Sequence, residues 1–327
     1  MKLSIVIPTF NRCGKLIRLL RNIEDEVEKS DLVRDIAVLI SDNGSTDSTR
    51  EVLTSFKPRS LNLKIFRQTK NIGFDRNILF LYKEAPSDYV WFFADDDLLL
   101  PGAIARVIRE IKNIEPTLLL FSFRQPPDST VKTFNVGADV SVFAEPVDVI
   151  HYVTQFPKIS IYVLKKTQLQ NSENEIVNAF VGTNYGFIAL AFSILRNTSR
   201  PVLAVIPDAL ATCDQDFNVL RFDPETWGNA WKVFEHPYVT LYCPGLVESK
   251  KAESYYSLIS FLYNVHTARL VVEDPDAYQL ATRKLPFRAK LLFRNLRAFL
   301  RFVMLKSRLV VIYRFRRQVE ALMRTAH

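Results

Sequence analysis

The stretch Tyr89-Val-Trp-Phe-Phe-Ala-Asp95-Asp96-Asp97-Leu98 decides how the rest of the chain is read. A short apolar run rich in β-formers ends in three consecutive carboxylates, so it predicts a buried strand with acids at its C-terminal end. Pro101 fits the first turn of a following helix. In open parallel sheets that end of a strand is where ligands bind. Adjacent carboxylates repel; at about 5 Å and an effective dielectric of about 20, each pair costs roughly 3 kcal/mol. A divalent cation would remove the penalty and leave a platform for a diphosphate. The simpler alternative is a solvated loop whose last Asp caps the helix.

Outward from this stretch the chain alternates. Leu3 to Ile7 predicts a first strand, ending at Pro8-Thr9-Phe10-Asn11-Arg12. Leu16, Leu19, Leu20 and Ile23 then recur at helical spacing. Ile36 to Ile40 is a second strand, ending in Ser41-Asp42-Asn43-Gly44-Ser45-Thr46-Asp47, where Ser45 or Thr46 can cap the next helix. Leu63 to Phe66 is a third strand; Lys70-Asn71-Ile72-Gly73 leads to a helix through Arg76 and Asn77. This order predicts a parallel sheet with right-handed crossovers. The polar loops carrying Thr9, Asn11, Asp42, Asn71 and Asp95 to Asp97 then share one edge and one cleft. Four ordinary helix-capping loops are the alternative.

These motifs, in this order and spacing over residues 2 to 125, resemble the nucleotide-binding half of the family 2 glycosyltransferases. The resemblance implies an α/β GT-A fold, a Rossmann-like, mostly parallel sheet flanked by helices. It also implies a nucleotide-sugar site built from Pro8, Thr9, Phe10, Arg12, Asp42, Asn71, Arg76, Asp95 and Asp96. Asp42 would accept a hydrogen bond from the base, and Thr9 and Phe10 would line the base pocket. Arg76 would lie near the base or phosphates, and Asp95 and Asp96 near the ribose and diphosphate. Asp97, with Asp95, would hold Mn²⁺ or Mg²⁺ in a DXD-like motif, so that the metal neutralises the leaving diphosphate.

Beyond residue 125 the likeness thins. Thr117 to Phe123 predicts another strand, residues 130 to 145 an irregular excursion, and Ile159 to Leu164 a strand bordering the donor sugar. Ile176 to Leu195 reads as a buried helix entered at Gly182-Thr-Asn-Tyr-Gly186. Many relatives carry an acidic pair there, whose Asp is the general base. Thr183 and Asn184 stand in its place, and Asn takes no proton at neutral pH. Asp208, Asp214 and Asp216 are the nearest alternatives, as base, as metal ligand or as plain surface residues; Asp214 and Asp216 are the preferred catalytic candidates. Trp227 and Trp231 fit core packing or stacking on an acceptor sugar. The four histidines show no paired spacing.

Composition excludes other classes. Among nine glycines there is no Gly-x-Gly pair and no Gly-rich loop ending in Gly-Lys-Ser/Thr, so the dinucleotide and ATPase phosphate cradles are absent. A sugar nucleotidyltransferase is disfavoured for the same lack of a Gly-rich loop. Cys13, Cys213 and Cys243 suggest neither a disulfide framework nor zinc. No apolar run reaches the roughly 18 residues of a spanning helix. The net charge is +8, yet residues 287–327 carry 11 Lys/Arg against Glu320 alone, a net of +10 that leaves −2 for the rest. Leu292, Leu296, Phe299 and Val303 form an apolar stripe with arginines beside it, the pattern of a helix lying in a membrane interface. Packing on the body or a partner subunit is the alternative; nucleic acid is not expected, since no binding module accompanies the charge.

The expected organisation is a GT-A domain over 1–245, divided into a nucleotide-binding half (1–125) and an acceptor half (126–245). A helical C-terminal extension follows over 246–327. The expected activity is metal-dependent, inverting transfer of a sugar from a nucleoside-diphosphate sugar to a hydroxyl of a lipid-linked or surface-glycan acceptor. The expected location is cytoplasmic, peripheral at the inner face of the cell membrane and held by anionic lipid. The alternative is a membrane-associated protein that binds a nucleotide-sugar without turning it over.

Overall fold

The structure is a computed structural model that describes residues 2–30, 32–124, 133–134, 136–145, 148–149, 152–153, 158–167, 178 and 180–213. Asp214, Asp216, Trp227, Trp231, the four histidines and the basic tail lie outside the described residues.

The first half follows the expected alternation. Strand β1 (Leu3–Thr9) leads to helix α1 (Cys13–Ser30), β2 (Ile36–Asp42) to α2 (Thr49–Ser55), and β3 (Leu63–Arg67) to α3 (Phe74–Glu84). β4 (Tyr89–Phe92) follows. These four strands are parallel in the order β3-β2-β1-β4. The strands have to be apolar on both faces because helices cover the sheet. β1 and β2 are buried along their whole length. Leu16, Leu19, Leu20 and Ile23 of α1 are fully buried, which accounts for their spacing. Trp91, Phe92 and Phe93 are fully buried too; each Phe contributes roughly 2–3 kcal/mol of apolar burial. Trp91 packs edge-on against Phe93 and Phe121, with centroids 5.6 and 5.4 Å away.

The second half departs from the expectation in five places. β5 (Asp97–Leu99) starts inside the acidic triplet and pairs antiparallel with the end of β9 (Leu203–Cys213), Asp97 opposite Cys213. Pro101 lies in a turn, and α4 (Ala103–Ile114) starts only after Gly102, whose φ of +79° is left-handed. β6 (Leu118–Arg124) is as predicted, but β7 (Ser141–Phe143) lies inside the excursion and pairs with β9. The predicted strand from Ile159 is instead a 3₁₀ turn over Ile159–Ile161 followed by β8 (Val163–Lys165), antiparallel to both β4 and β6. The last helix among the described residues, α5, spans Gly186–Asn197, within the Ile176 to Leu195 stretch expected to be helical and two residues beyond it. The chain turns at Gly182 and Asn184, both at positive φ, before it can wind into a helix.

Among the described residues one sheet contains all nine strands, in the path β3-β2-β1-β4-β8-β6-β9-β5 with β7 on β9. β9 runs through Pro207 for 11 residues. It tolerates Pro207 because its register with β6 shifts between Phe121 and Phe123, a bulge where a missing N–H does no harm.

Candidate active site

The tips of β1 and β2 lie side by side, Thr9 opposite Asp42 in parallel register. Thr9 is buried, and its hydroxyl donates to Asp95 Oδ2 at 2.7 Å. One residue therefore links the tip of β1 to the tips of β2 and β4, and Asp42 and the triplet share one edge. Asp42 is 4% exposed, and its Oδ1 accepts the Ser45 N–H at 2.9 Å, closing a turn. The next loop closes on this turn: Asn43 Nδ2 donates to Asn71 Oδ1 at 3.0 Å, and Asn43 Oδ1 accepts the Ile72 N–H at 2.9 Å. Gly44 permits that approach. It holds φ +77°, and a Cβ there would lie 2.7 Å from the Lys70 carbonyl carbon. Asn11 Oδ1 accepts the Thr46 N–H at 2.8 Å, tying the β1 and β2 loops together. Asp47, not Ser45 or Thr46, serves the start of α2, its Oδ1 accepting the Thr49 N–H at 3.0 Å.

Of the other expected donor-site residues, Pro8 is buried in β1 and Phe10 is exposed at the strand's mouth. Arg76 is exposed on the first turn of α3. Asn71 is used in part by the fold, since its Oδ1 also accepts the Gly73 N–H at 2.8 Å.

Each acid of the triplet has a partner of its own. Asp95 bonds to Thr9; its burial pushes its pKa up to about 6, against the pull of that hydrogen bond. Asp96 Oδ2 meets Arg12 Nη1 at 2.6 Å. Burial works to raise the Asp96 pKa, but Lys158 and Arg12 together outweigh it and hold it below the usual value. Asp97 is 1% exposed. Burial raises its pKa in spite of Lys158, whose Nζ is 2.9 Å from Oδ1, and Ser160, whose hydroxyl donates to Oδ2. Lys158 is thus the charged partner of the buried Oδ1. Ser160 is pinned in turn: its Oγ accepts the Ala94 N–H at 3.0 Å and its carbonyl accepts Trp91 Nε1 at 2.8 Å.

No group of three His, Cys, Asp or Glu side chains able to enclose an ion exists among the described residues. Asp97 Oδ1 with neighbouring Asp95 still fits a hard divalent cation, of the kind that takes one or two carboxylates and completes its shell with substrate phosphates.

The turn entering α5 offers no free carboxylate. Asp75, on the first turn of α3, is 1% exposed and accepts three N–H groups, from Gly182 at 2.8 Å, Asn184 at 3.0 Å and Gly186 at 2.9 Å. Gly186 suits this contact, for a Cβ there would lie 3.0 Å from Asp75 Oδ1. Asp208 is separated from the triplet. It is exposed on β9, 3.4 Å from Arg106 of α4, and five residues of strand, roughly 15 Å, separate it from Cys213 beside Asp97. As a base acting next to Asp97 it is therefore excluded.

Lys158, Ser160 and Asp75 were not singled out from the sequence. The only signal was that a lysine, a serine and an acid flank segments already expected near the site.

Residues 4–187, more than half of the chain, match the model of the family described as glycosyl transferase family 2. The chain is 30% identical over 233 residues to abequosyltransferase RfbV of Salmonella typhimurium, covering 66% of this chain and 67% of that one. It is also 30% identical over 118 residues to the GalNAc(5)-diNAcBac-PP-undecaprenol β-1,3-glucosyltransferase of Campylobacter jejuni, covering 33% and 34%. Among solved structures, S. aureus TarS 1–349 in complex with UDP-GlcNAc superposes with a TM-score of 0.58 at 15% identity, covering 89% of this chain and 84% of that one. With a GT-A fold and these relatives, the chain belongs to glycosyl transferase family 2 and is a glycosyltransferase.

Proposed function

We propose that the chain transfers a sugar from a nucleoside-diphosphate donor to a hydroxyl of a lipid-linked or nascent surface glycan. The observation that carries this reading is the shared sheet edge, where Thr9 stands opposite Asp42 and donates to Asp95, two residues before the buried carboxylate of Asp97. UDP-GlcNAc bound to TarS supports a nucleotide-sugar donor, and the undecaprenol-linked substrate named for the Campylobacter relative supports a lipid-linked acceptor.

In this reading Asp42 accepts a hydrogen bond from the base, and Thr9 and Phe10 line its pocket. Pro8 shapes the same strand tip, and Asn71 and Arg76 face the donor from the next loop. Asp95 and Asp96 lie against ribose and diphosphate, with Arg12 holding Asp96 in place. Asp97, assisted by Asp95, would hold Mn²⁺ or Mg²⁺, whose charge would offset that of the leaving diphosphate. The acceptor oxygen forms its bond to the anomeric carbon as the bond to the phosphate oxygen breaks, with inversion. A base takes the hydroxyl proton; Asp214 and Asp216, outside the described residues, are the candidates.

The test is turnover of a panel of sugar nucleotides, with membrane extract as acceptor. Transfer should stop with EDTA and fall on the order of 100-fold or more in Asp97→Ala. Transfer unchanged by either would contradict the metal role. One observation favours a binding protein without turnover: the turn at Thr183 and Asn184 has no acid, and the nearby Asp75 is fully used by backbone N–H groups. Calorimetry separates the two, since tight nucleotide-sugar binding with no transfer to any extract supports the second.

The basic segment 287–327 is proposed to hold the enzyme against anionic lipid at the cytoplasmic face of the membrane. No helix among the described residues is long and apolar enough to cross a membrane.

A further inference from the structure

Lys158 holds the position that a metal ion at Asp97 would need. Its ammonium is 2.9 Å from Oδ1, its side chain is only 25% exposed, and it lies over the Phe123 ring, 4.8 Å from the centroid. Ser160, two residues on, fixes the other carboxylate oxygen. An ammonium and a divalent cation repel, and one buried oxygen does not serve both. Displaced, the charge stays on a flexible stem at the site, because the 3₁₀ turn that carries it is anchored through Ser160 to Trp91 and Ala94. An anion must then receive it. Arg12 is already committed to Asp96.

We propose that Lys158 is the resident counter-ion of Asp97: it competes with the divalent cation for Oδ1 and, once displaced, binds the diphosphate of the donor. This rests on the metal-assisted reading above. It makes the metal alone a weak ligand and couples its binding to that of the nucleotide, because each relieves a charge the other leaves uncompensated.

The experiment takes the full chain stripped of metal and titrates it with Mn²⁺ alone, reading free Mn²⁺ by electron paramagnetic resonance. Lys158→Met, which keeps the apolar stem, should bind Mn²⁺ about tenfold more tightly than the wild type or better. Lys158→Arg, which keeps the charge, should stay near the wild type and reports that the turn is folded. A second titration adds UDP, GDP, CDP and dTDP in turn at saturating Mg²⁺. For the nucleotide that binds, Lys158→Met should weaken affinity about tenfold and Lys158→Arg should restore most of it. Equal Mn²⁺ affinity in wild type and Lys158→Met overturns the competition. Unchanged nucleotide affinity overturns the diphosphate contact. Failure of every protein to bind Mn²⁺, even with a nucleoside diphosphate present, overturns the metal reading and this proposal with it.

Discussion

Asp75 accepts three backbone N–H groups from a turn more than a hundred residues downstream, and almost none of it is exposed. Removing an acceptor from buried donors costs about 1–3 kcal/mol for each donor left unpaired. Asp75→Ala is therefore expected to destabilise the fold by roughly 3 kcal/mol or more, and Asp75→Asn by less, since one oxygen is kept. Thermal melting checks this; an unchanged melting temperature in Asp75→Ala would contradict the clamp. Such residues were not legible in the sequence, because their partners are remote and nothing local marks them. Asp42 and Asp95 to Asp97 were legible for the opposite reason. Acids that end an apolar strand stand out in the pattern itself, even though Asp42 also closes its own turn with Ser45. The Asn184 turn shows the limit of that logic: it lacks the expected acid, and an acid from another helix organises it.

At the scale of elements, hydrophobic periodicity placed β1, α1, β2, α3 and β6, because each buries one apolar run or stripe, and placed β3 although that edge strand is only half-buried. It failed where backbone groups are captured by side chains. α5 begins only after a turn whose N–H groups Asp75 takes, and the Ile159 strand is broken where Ser160 serves Ala94, Trp91 and Asp97. Helix α1 shows how an element is fastened by charge. Its Glu24 has no exposed side-chain surface and receives the guanidinium groups of Arg21 at 2.7 Å and Arg59 at 3.0 Å, with the Arg59 and Ser60 N–H groups. Burial works to raise its pKa, but these hydrogen bonds win and bring it below the ordinary 4.5. A lowered pKa stabilises the fold above the unfolded value and is lost as pH falls through the folded one. Glu24→Gln should thus melt below the wild type at pH 7, with the gap shrinking as the pH drops below about 4.5. A gap that does not change with pH would contradict the pairing.

At the scale of the molecule, the parallel β3-β2-β1-β4 order brings loops from distant parts of the chain to one edge, and the parallel pairing was legible from the strand–helix alternation. The antiparallel β5 and β7 were not, since three-residue strands leave almost no periodic trace, and of the strand expected over Ile159 to Leu164 only the end survives, in β8. The basic segment makes a separate prediction. Each Lys or Arg near an anionic leaflet adds about 1 kcal/mol, so the full chain should float with vesicles containing anionic lipid and a chain ending at Leu285 should not. Full-length protein that stays off such vesicles would contradict the membrane role. The central claim is that the strand tips grip a nucleoside-diphosphate sugar with a divalent ion at Asp97. A crystal structure with the preferred nucleoside diphosphate and Mn²⁺ tests it most directly. It should show the base against Asp42 and Thr9, Mn²⁺ at Asp97 beside the diphosphate, and Lys158 moved off Oδ1. A nucleotide bound away from the Thr9–Asp95 edge, or Mn²⁺ bound without Asp97, would contradict it.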